Sequence, residues 1–367
     1  MRWRLIKEDG VSAAAGLACD EALSRAVGDG TSPPSLRLYT YRPHCALVGR
    51  FQNVESEIQL ESCRREGIEV NRRPTGGGAI LMGPSQLGVA LALPRTGEEG
   101  RPRDWMRRFS SGLSRALERL GIEARFRGKN DLEVDGRKIA GLGFCRDAPR
   151  GGLFHASLLV DLDVQLMARV LRTPFEKITR RELTTLAGRT TTVRKLLGRE
   201  VSLEEVRDCV ASGFASAFGV ELEGGAWTGA ERSAADDLGR EKYRSQAWLF
   251  ERTLVRDATG AAKLDTPSGL VDVRVAMAGR TIKSAHVRGD FFESESALAD
   301  LEARLRWHSS DPSVIAATVR DWSSSRSAGA LPPDALVEVI VSASESARAG
   351  DSEPYGCFVN PHGVAGV

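Results

Sequence analysis

The 367-residue chain is notable first for what it lacks. Its six cysteines, Cys19, Cys45, Cys63, Cys145, Cys209 and Cys357, are scattered. None forms a CxxC pair, so their spacing fits neither a disulfide framework nor a zinc site. Free cysteines in a chain of this size point to a reducing compartment, and the expected location is the cytoplasm. No stretch approaches the roughly 20 apolar residues of a membrane helix. The opening Met1 to Glu8 carries charge where a signal peptide needs an apolar run. There is no excess charge of either sign: 51 Lys and Arg against 49 Asp and Glu leave a formal +2, with no basic block. Neither nucleic acid nor a membrane is therefore expected as a partner. Internal repeats and extended low-complexity tracts are also missing.

What remains is an ordinary globular composition, long enough for two domains. Helical spacing runs through residues 11–27, 104–120, 163–171 and 202–218, and a charged helix is expected over 54–66. Strands are expected at Leu36 to Tyr41, Ala46 to Gly49, Ile68 to Arg72, Ala79 to Met82, Leu87 to Leu93 and Ala156 to Leu162. Asp135-Gly136 between two short strands predicts a hairpin. The polar stretch 222–241 reads as a linker. Beyond it, strands are expected at Ala247 to Arg256, Leu270 to Ala276 and Thr281 to Val287, and helices at 298–305, 314–322 and 334–348. The class is α+β: a large domain of mixed sheet packed with helices over 1–240, a smaller α+β accessory domain over 241–349, and a tail over 350–367.

Three constellations carry candidate chemistry. In Arg72-Arg73-Pro74-Thr75-Gly76-Gly77-Gly78, between two strands, free amides suit a cradle for anionic oxygens, and the arginines suit phosphate or carboxylate. The bland alternative is a flexible turn beside a solvated basic pair. It is not a P-loop, because the Gly-Lys-Ser/Thr ending is missing. In the second, Asn130-Asp131 precedes a strand, and Lys138 lies among small and apolar residues, where an ammonium needs an anionic partner. The hairpin alone favours Lys138 on a solvent face. In the third, His155 at a strand start either orients a ligand or makes a structural hydrogen bond.

Taken in order, these segments resemble the lipoate–protein ligase family of the biotin and lipoate ligase group. Val48 to Asn53 resembles its Gly-Arg-x-Gln-Asn segment, and Arg72-Arg73 with Gly76 to Ala79 its glycine loop. Lys129 to Leu132, Gly136 to Gly141, Phe154 to Leu159 and Arg189 to Val193 resemble the segments that follow. Lys242 to Trp248 resembles the junction into an accessory domain, and Gly289-Asp290-Phe291-Phe292 a signature within it. The resemblance implies ATP-dependent activation of lipoate or octanoate to an acyl-adenylate, with Mg2+, and transfer to a lysine of a lipoyl-carrier domain protein. By the same resemblance Lys138 would be catalytic. Arg73, Gly76, Gly77, Gly78, Ala79, Ile80, Leu81, Asn130, Asp131 and Lys138 would hold ATP and the acyl-adenylate. Arg50 and His155 would meet substrate, and Asp131 a phosphate-bound magnesium. The family's usual His-Asp pair is replaced by Met82-Gly83. One alternative is an octanoyl or lipoyl transferase with a cysteine nucleophile. Its relatives carry that cysteine at positions corresponding to 121–131 or 156–190, where this chain has none. A second alternative is a ligase-like protein that binds without catalysing.

Overall fold

The computed structural model describes residues 1–50, 54–75, 78–94, 102–127, 130–145, 151–172, 187–250, 260–266, 269–289, 295–325 and 331–349. These fall into two compact units. The first draws on residues 1–50, 59–171 and 187–250, the second on 54–58, 172 and 260–349.

In chain order the strands of the first unit are β1 (Arg2–Val11), β2 (Ser35–Tyr41), β3 (Cys45–Val48), β4 (Glu69–Arg72), β5 (Ile80–Met82), β6 (Gln86–Pro94), β7 (Arg125–Arg127), β8 (Asp131–Val134), β9 (Arg137–Cys145), β10 (Gly151–Leu159) and β11 (Glu221–Gly224). Eight of them form one mixed sheet in the order β11-β1-β2-β6-β10-β9-β8-β7. β1 runs parallel to β2 and β11, and the other pairings are antiparallel. A smaller sheet has the order β4-β3-β5.

Period-two alternation gives the large sheet two dissimilar faces. One is apolar: Leu36, Leu38, Val89, Leu91, Phe154, Ala156 and Leu142 pack with Phe109, Leu113 and Phe214. The last three come from the helices Pro102–Arg119 and Leu203–Phe218. The other face carries Arg37, Tyr39, Ala90, Leu153 and His155. The helix Ala13–Gly28 covers it, capped where Ser12 accepts from the amide of Ala15.

The second unit holds an antiparallel sheet, β12 (Gly260–Thr266), β13 (Gly269–Ala278) and β14 (Thr281–Gly289). Helices Glu295–Leu305, Pro312–Ser324 and Pro333–Ala349 pack on it around Val273, Val275, Ile282, Leu301, Val319, Trp322 and Ile340. The whole is the α+β class that the sequence predicts.

Four expectations need correction. β1 was hidden by Arg2, Arg4, Lys7 and Glu8, charges that find partners elsewhere in the chain in Glu221, Glu231, Glu204 and Arg37. The helix expected over 54–66 is two pieces, Val54–Glu57 and Leu60–Glu66, parted at Gln59 (φ −82°, ψ 80°). The expected linker 222–241 is integral structure: β11, the helix Gly229–Leu238 and a π-helical turn at Gly239–Tyr243. A capping box starts that helix, with Thr228 and Glu231 each satisfying the other's amide. The buried Glu231 also binds Arg4 and Ser32. Finally, Gln246–Leu249 is a helical turn where a strand was expected, and the rest of that segment, 251–259, lies outside the described residues. Among the described residues, no helix is long and apolar enough to cross a membrane.

Candidate functional site

Lys138 is the second residue of β9, and its direction is set by an irregularity. β8 and β9 pair Leu132 with Ala140 but Glu133 with Lys138, so Ile139 is an extra residue on β9. Such a bulge turns two consecutive side chains to the same side. Ile139 and Ala140 both enter the apolar core, and Lys138 therefore shares the opposite face with Gly141. A Cβ on Gly141 would stand 3.0 Å from Lys138 Nζ and 3.2 Å from Ser157 Oγ. The missing side chain is the space that the ammonium occupies. Lys138 Nζ lies 2.7 Å from Asp131 Oδ1, and the two side chains are only 20% and 17% exposed. The ordinary solvent-face hairpin lysine is thus ruled out. The Thr191 amide donates to the Lys138 carbonyl at 2.8 Å and fixes the strand end. The turn is the Asp135-Gly136 hairpin, with φ of 50° and 72°, the geometry of a type I′ turn.

Asn130 has a different duty. Its Nδ2 donates to the Leu142 carbonyl (2.9 Å), and its own carbonyl accepts from the Leu142 amide (2.8 Å). It fastens β9 behind the lysine.

The arginines of the glycine loop are buried and donate to backbone carbonyls. Arg72, fully buried, donates to the carbonyls of Gly49, Arg50, Trp248 and Leu249. Arg73 reaches from the Leu47 carbonyl (3.0 Å) to the Gly78 carbonyl (2.7 Å) and so ties the two ends of the loop. Gly76 and Gly77 lie outside the described residues, as do Phe51, Gln52, Asn53, Lys129, Asp290 to Phe292 and Cys357. Gly78 and Ala79 lead into β5, where Ile80 is half-buried and Leu81 buried. Arg50 donates its amide to the Thr75 carbonyl and lays its guanidinium 4.6 Å from the centre of the Trp248 ring.

Thr75 joins this loop to the sheet. It sits directly over Gly143, where a Cβ would be 3.0 Å from Thr75 Oγ1. Its hydroxyl lies 3.5 Å from His155 Nδ1. His155 Nε2 is 2.8 Å from Asp20 Oδ2, which also accepts from Tyr39 (2.7 Å), while Asp20 Oδ1 accepts from Arg37 (2.7 Å). With the imidazole proton on Nε2 facing Asp20, Nδ1 is left to accept from Thr75. Burial opposes ionisation of Asp20. Even so, Arg37, His155 and Tyr39 hold its carboxyl below the usual range. Arg37 extends the chain to Glu8 (2.6 Å). Of the two readings of His155, the structural hydrogen bond is present, made to Asp20, and the other ring nitrogen lies toward Thr75. Asp20, Arg37 and Tyr39 were missed in the sequence. The available signal was a carboxylate inside the apolar stripe of Leu17, Ala18 and Leu23.

The family's His-Asp pair is absent in substance as well as in sequence. Met82 packs in the apolar cluster with Leu17, Cys45 and Leu47. Gly83 lies against the His44 ring, where a Cβ would come 2.2 Å from Cδ2.

The fold matches solved structures. A bipartite lipoate protein ligase of Thermoplasma acidophilum, studied with its E2 lipoyl domain, is 27% identical with a TM-score of 0.63, covering 69% of this chain and 98% of that one. A lipoate-protein ligase A bound with ATP is 25% identical with a TM-score of 0.61, covering 69% and 100%. The class is thus that of the lipoate ligase fold. The chain belongs to the lipoyl protein ligase A/B catalytic domain family, whose model matches residues 12–215.

Curated relatives correct the expected activity. Octanoyltransferase LipM of Kyrpidia tusciae is 33% identical over 274 residues, 68% of this chain and 99% of that protein. Those of Symbiobacterium thermophilum and Geobacillus kaustophilus are 32% and 31% identical, each covering 68% of this chain and 98% of the relative. These relatives overturn the ATP-dependent ligase expectation in favour of octanoyl transfer. A shielded lysine ammonium could polarise an acyl carbonyl in either reaction, so a lysine and a glycine loop in the sequence do not separate the two. The requirement for ATP followed from adenylation and goes with it. Mg2+ fits poorly on the residues' own chemistry. Asp131 already faces an ammonium, and among the described residues no three His, Cys, Asp or Glu side chains gather as a metal site.

Proposed function

We propose that the chain is an octanoyltransferase, moving an octanoyl group from a thioester to the lysine of a lipoyl-carrier domain without ATP. A thioester carbon is already activated, so no adenylate is needed. The observation that carries the reading is the Lys138 ammonium, mostly shielded from water, held against Asp131 over the bare backbone of Gly141. An ammonium fixed there stabilises the oxyanion that grows as the acceptor nitrogen attacks the carbonyl. In this reading Thr75 and the Gly78 to Leu81 segment form one wall of the acyl site. Arg73 closes that wall, and His155, locked by Asp20, sets the orientation of Thr75. Octanoyl transfer by relatives that this chain covers almost completely supports the assignment.

The test is transfer from an octanoyl carrier protein to a purified lipoyl domain, without nucleotide, followed by intact mass of the acceptor. Wild-type protein should acylate one lysine. Lys138→Ala should lose about 100-fold or more in rate while retaining its fold by circular dichroism. No transfer with or without ATP, alongside tight binding of octanoate, would establish a binding protein and end the transferase reading.

A further inference from the structure

We propose that the cavity lined by Thr191, Arg194 and Lys195 is an anion site, and that it holds the phosphodiester of the acyl donor's prosthetic arm. This rests on the octanoyl-transfer reading and adds how the donor is recognised.

The cavity has a volume of about 510 Å3 and lies within the first unit. Backbone contacts fix its position. Thr190 pairs in parallel with Lys138, and the Thr191 amide donates to the Lys138 carbonyl at 2.8 Å. The Arg194 amide donates to the Val160 carbonyl, just past the end of β10, at 3.1 Å. The wall of the cavity thus starts beside Lys138 and runs from the buried Thr191 to the exposed Lys195.

Two donors on this wall are buried and unmatched. Thr191 is only 1% exposed, and its hydroxyl has no partner. Arg194 Nε is shielded from solvent and has none either. Folded proteins rarely leave such groups unmet, so a ligand or ordered water is called for at both. The unmatched atoms select its chemistry. An arginine Nε–H can only donate, and so can an ammonium. Lys195 supplies one at the same cavity and pairs with no carboxylate among the described residues. The lining carboxylates, Asp161 and Glu200, both face the terminal nitrogens of Arg194, at 3.1 and 3.3 Å. Arg194, Lys195 and Arg199 outnumber those two acids. Donors in excess, two of them cationic, suit an anion with several oxygens, as a phosphate ester is.

The place of the cavity selects which phosphate ester. A carrier protein presents its acyl thioester on a long arm, joined to the carrier through a phosphodiester. With that phosphate held by Thr191, Arg194 and Lys195, the arm is anchored beside the strand end that carries Lys138. One contact then both binds the donor and limits how its carbonyl approaches the ammonium. Free octanoate has no phosphate and gains nothing from the cavity.

The experiment uses full-length protein, a lipoyl domain as acceptor, and two donors that differ only in the phosphate: octanoyl-phosphopantetheine and octanoyl-pantetheine. Wild-type kcat/KM should favour the phosphorylated donor by about 10–100-fold, through KM. Thr191→Val and Lys195→Ala should each cut that preference by about 10-fold. Thr191→Val removes a hydroxyl without a partner, so its thermal midpoint should hold or rise, which separates lost recognition from lost fold. Calorimetric titration should show phosphopantetheine binding to wild type, weaker binding to Thr191→Val, and none for pantetheine. Inorganic phosphate bound as tightly as phosphopantetheine would make this a free-anion site and overturn the assignment to the donor arm. Equal kcat/KM for the two donors, or a preference that survives in both variants, would also overturn it and leave octanoyl transfer standing. Phosphopantetheine bound in the cavity without any acyl transfer would support the site and end the transfer reading.

Discussion

The most exposing test of the architecture behind the site is Asp20→Asn. Asp20 is fully buried and accepts from Arg37, Tyr39 and His155 at 2.7–2.8 Å. The substitution preserves shape but removes the charge, and the Asn amide turns two donors toward groups that are themselves donors. Arg37, also fully buried, keeps Glu8 and the Gly16 carbonyl but loses its closest buried anion. At an effective dielectric near 20, a pair at this range is worth about 4 kcal/mol. Breaking one half of a buried pair typically costs about 3–5 kcal/mol. Both figures predict a loss of about 3–5 kcal/mol, read as a shift of the first unit's urea midpoint. The pH dependence has a definite sign. The folded-state value lies below the unfolded one, so this stability is complete above the unfolded carboxyl value of about 3.9 and is lost as pH falls through the lower folded value. The variant should therefore show a flatter stability profile below about pH 4 than the wild type. A loss under about 1 kcal/mol, or an unchanged acid limb, would mean that the Asp20 network does not hold this face as described.

Two further substitutions separate catalysis from packing. Gly141→Ala places a methyl 3.0 Å from Lys138 Nζ; the flexible lysine end should yield by up to about 1 Å, lowering kcat roughly 10–100-fold with little change in thermal midpoint. Equal kcat in that variant would contradict the placement of the ammonium over Gly141. Glu231→Gln should destabilise the first unit by about 2–3 kcal/mol, since it weakens a buried charge bonded to Arg4, Ser32 and the Thr228 amide. Those partners hold its carboxyl down to about 2 despite the opposing cost of burial. Its contribution should thus persist above about pH 4.3 and fade as pH drops toward 2, measurable by acid unfolding of both proteins.

Much of the fold was legible because it is local. The Asp135-Gly136 turn, the long helices and the strands flanking the glycine loop follow from turn chemistry and periodicity. The segment 222–241 was not legible, because polar residues that read as a linker find their partners far along the chain, in Arg4 and Ser32. The activity was misread for a related reason. Its argument relied on cysteines missing from expected positions, whereas a lysine and a glycine loop suit ligase and transferase chemistry alike.

The sequence by itself determined the α+β class and the family, and it singled out Lys138 as a candidate, since each is written in short contiguous motifs. Where Lys138 points was decided only in three dimensions. Strict alternation sets Lys138 and Gly141, three residues apart, on opposite faces. The pairing of β8 with β9 leaves Ile139 unopposed, draws it into the core beside Ala140, and so turns the ammonium onto the face of Gly141 and Ser157. Burying that one extra apolar side chain is the tertiary event that brings the site together.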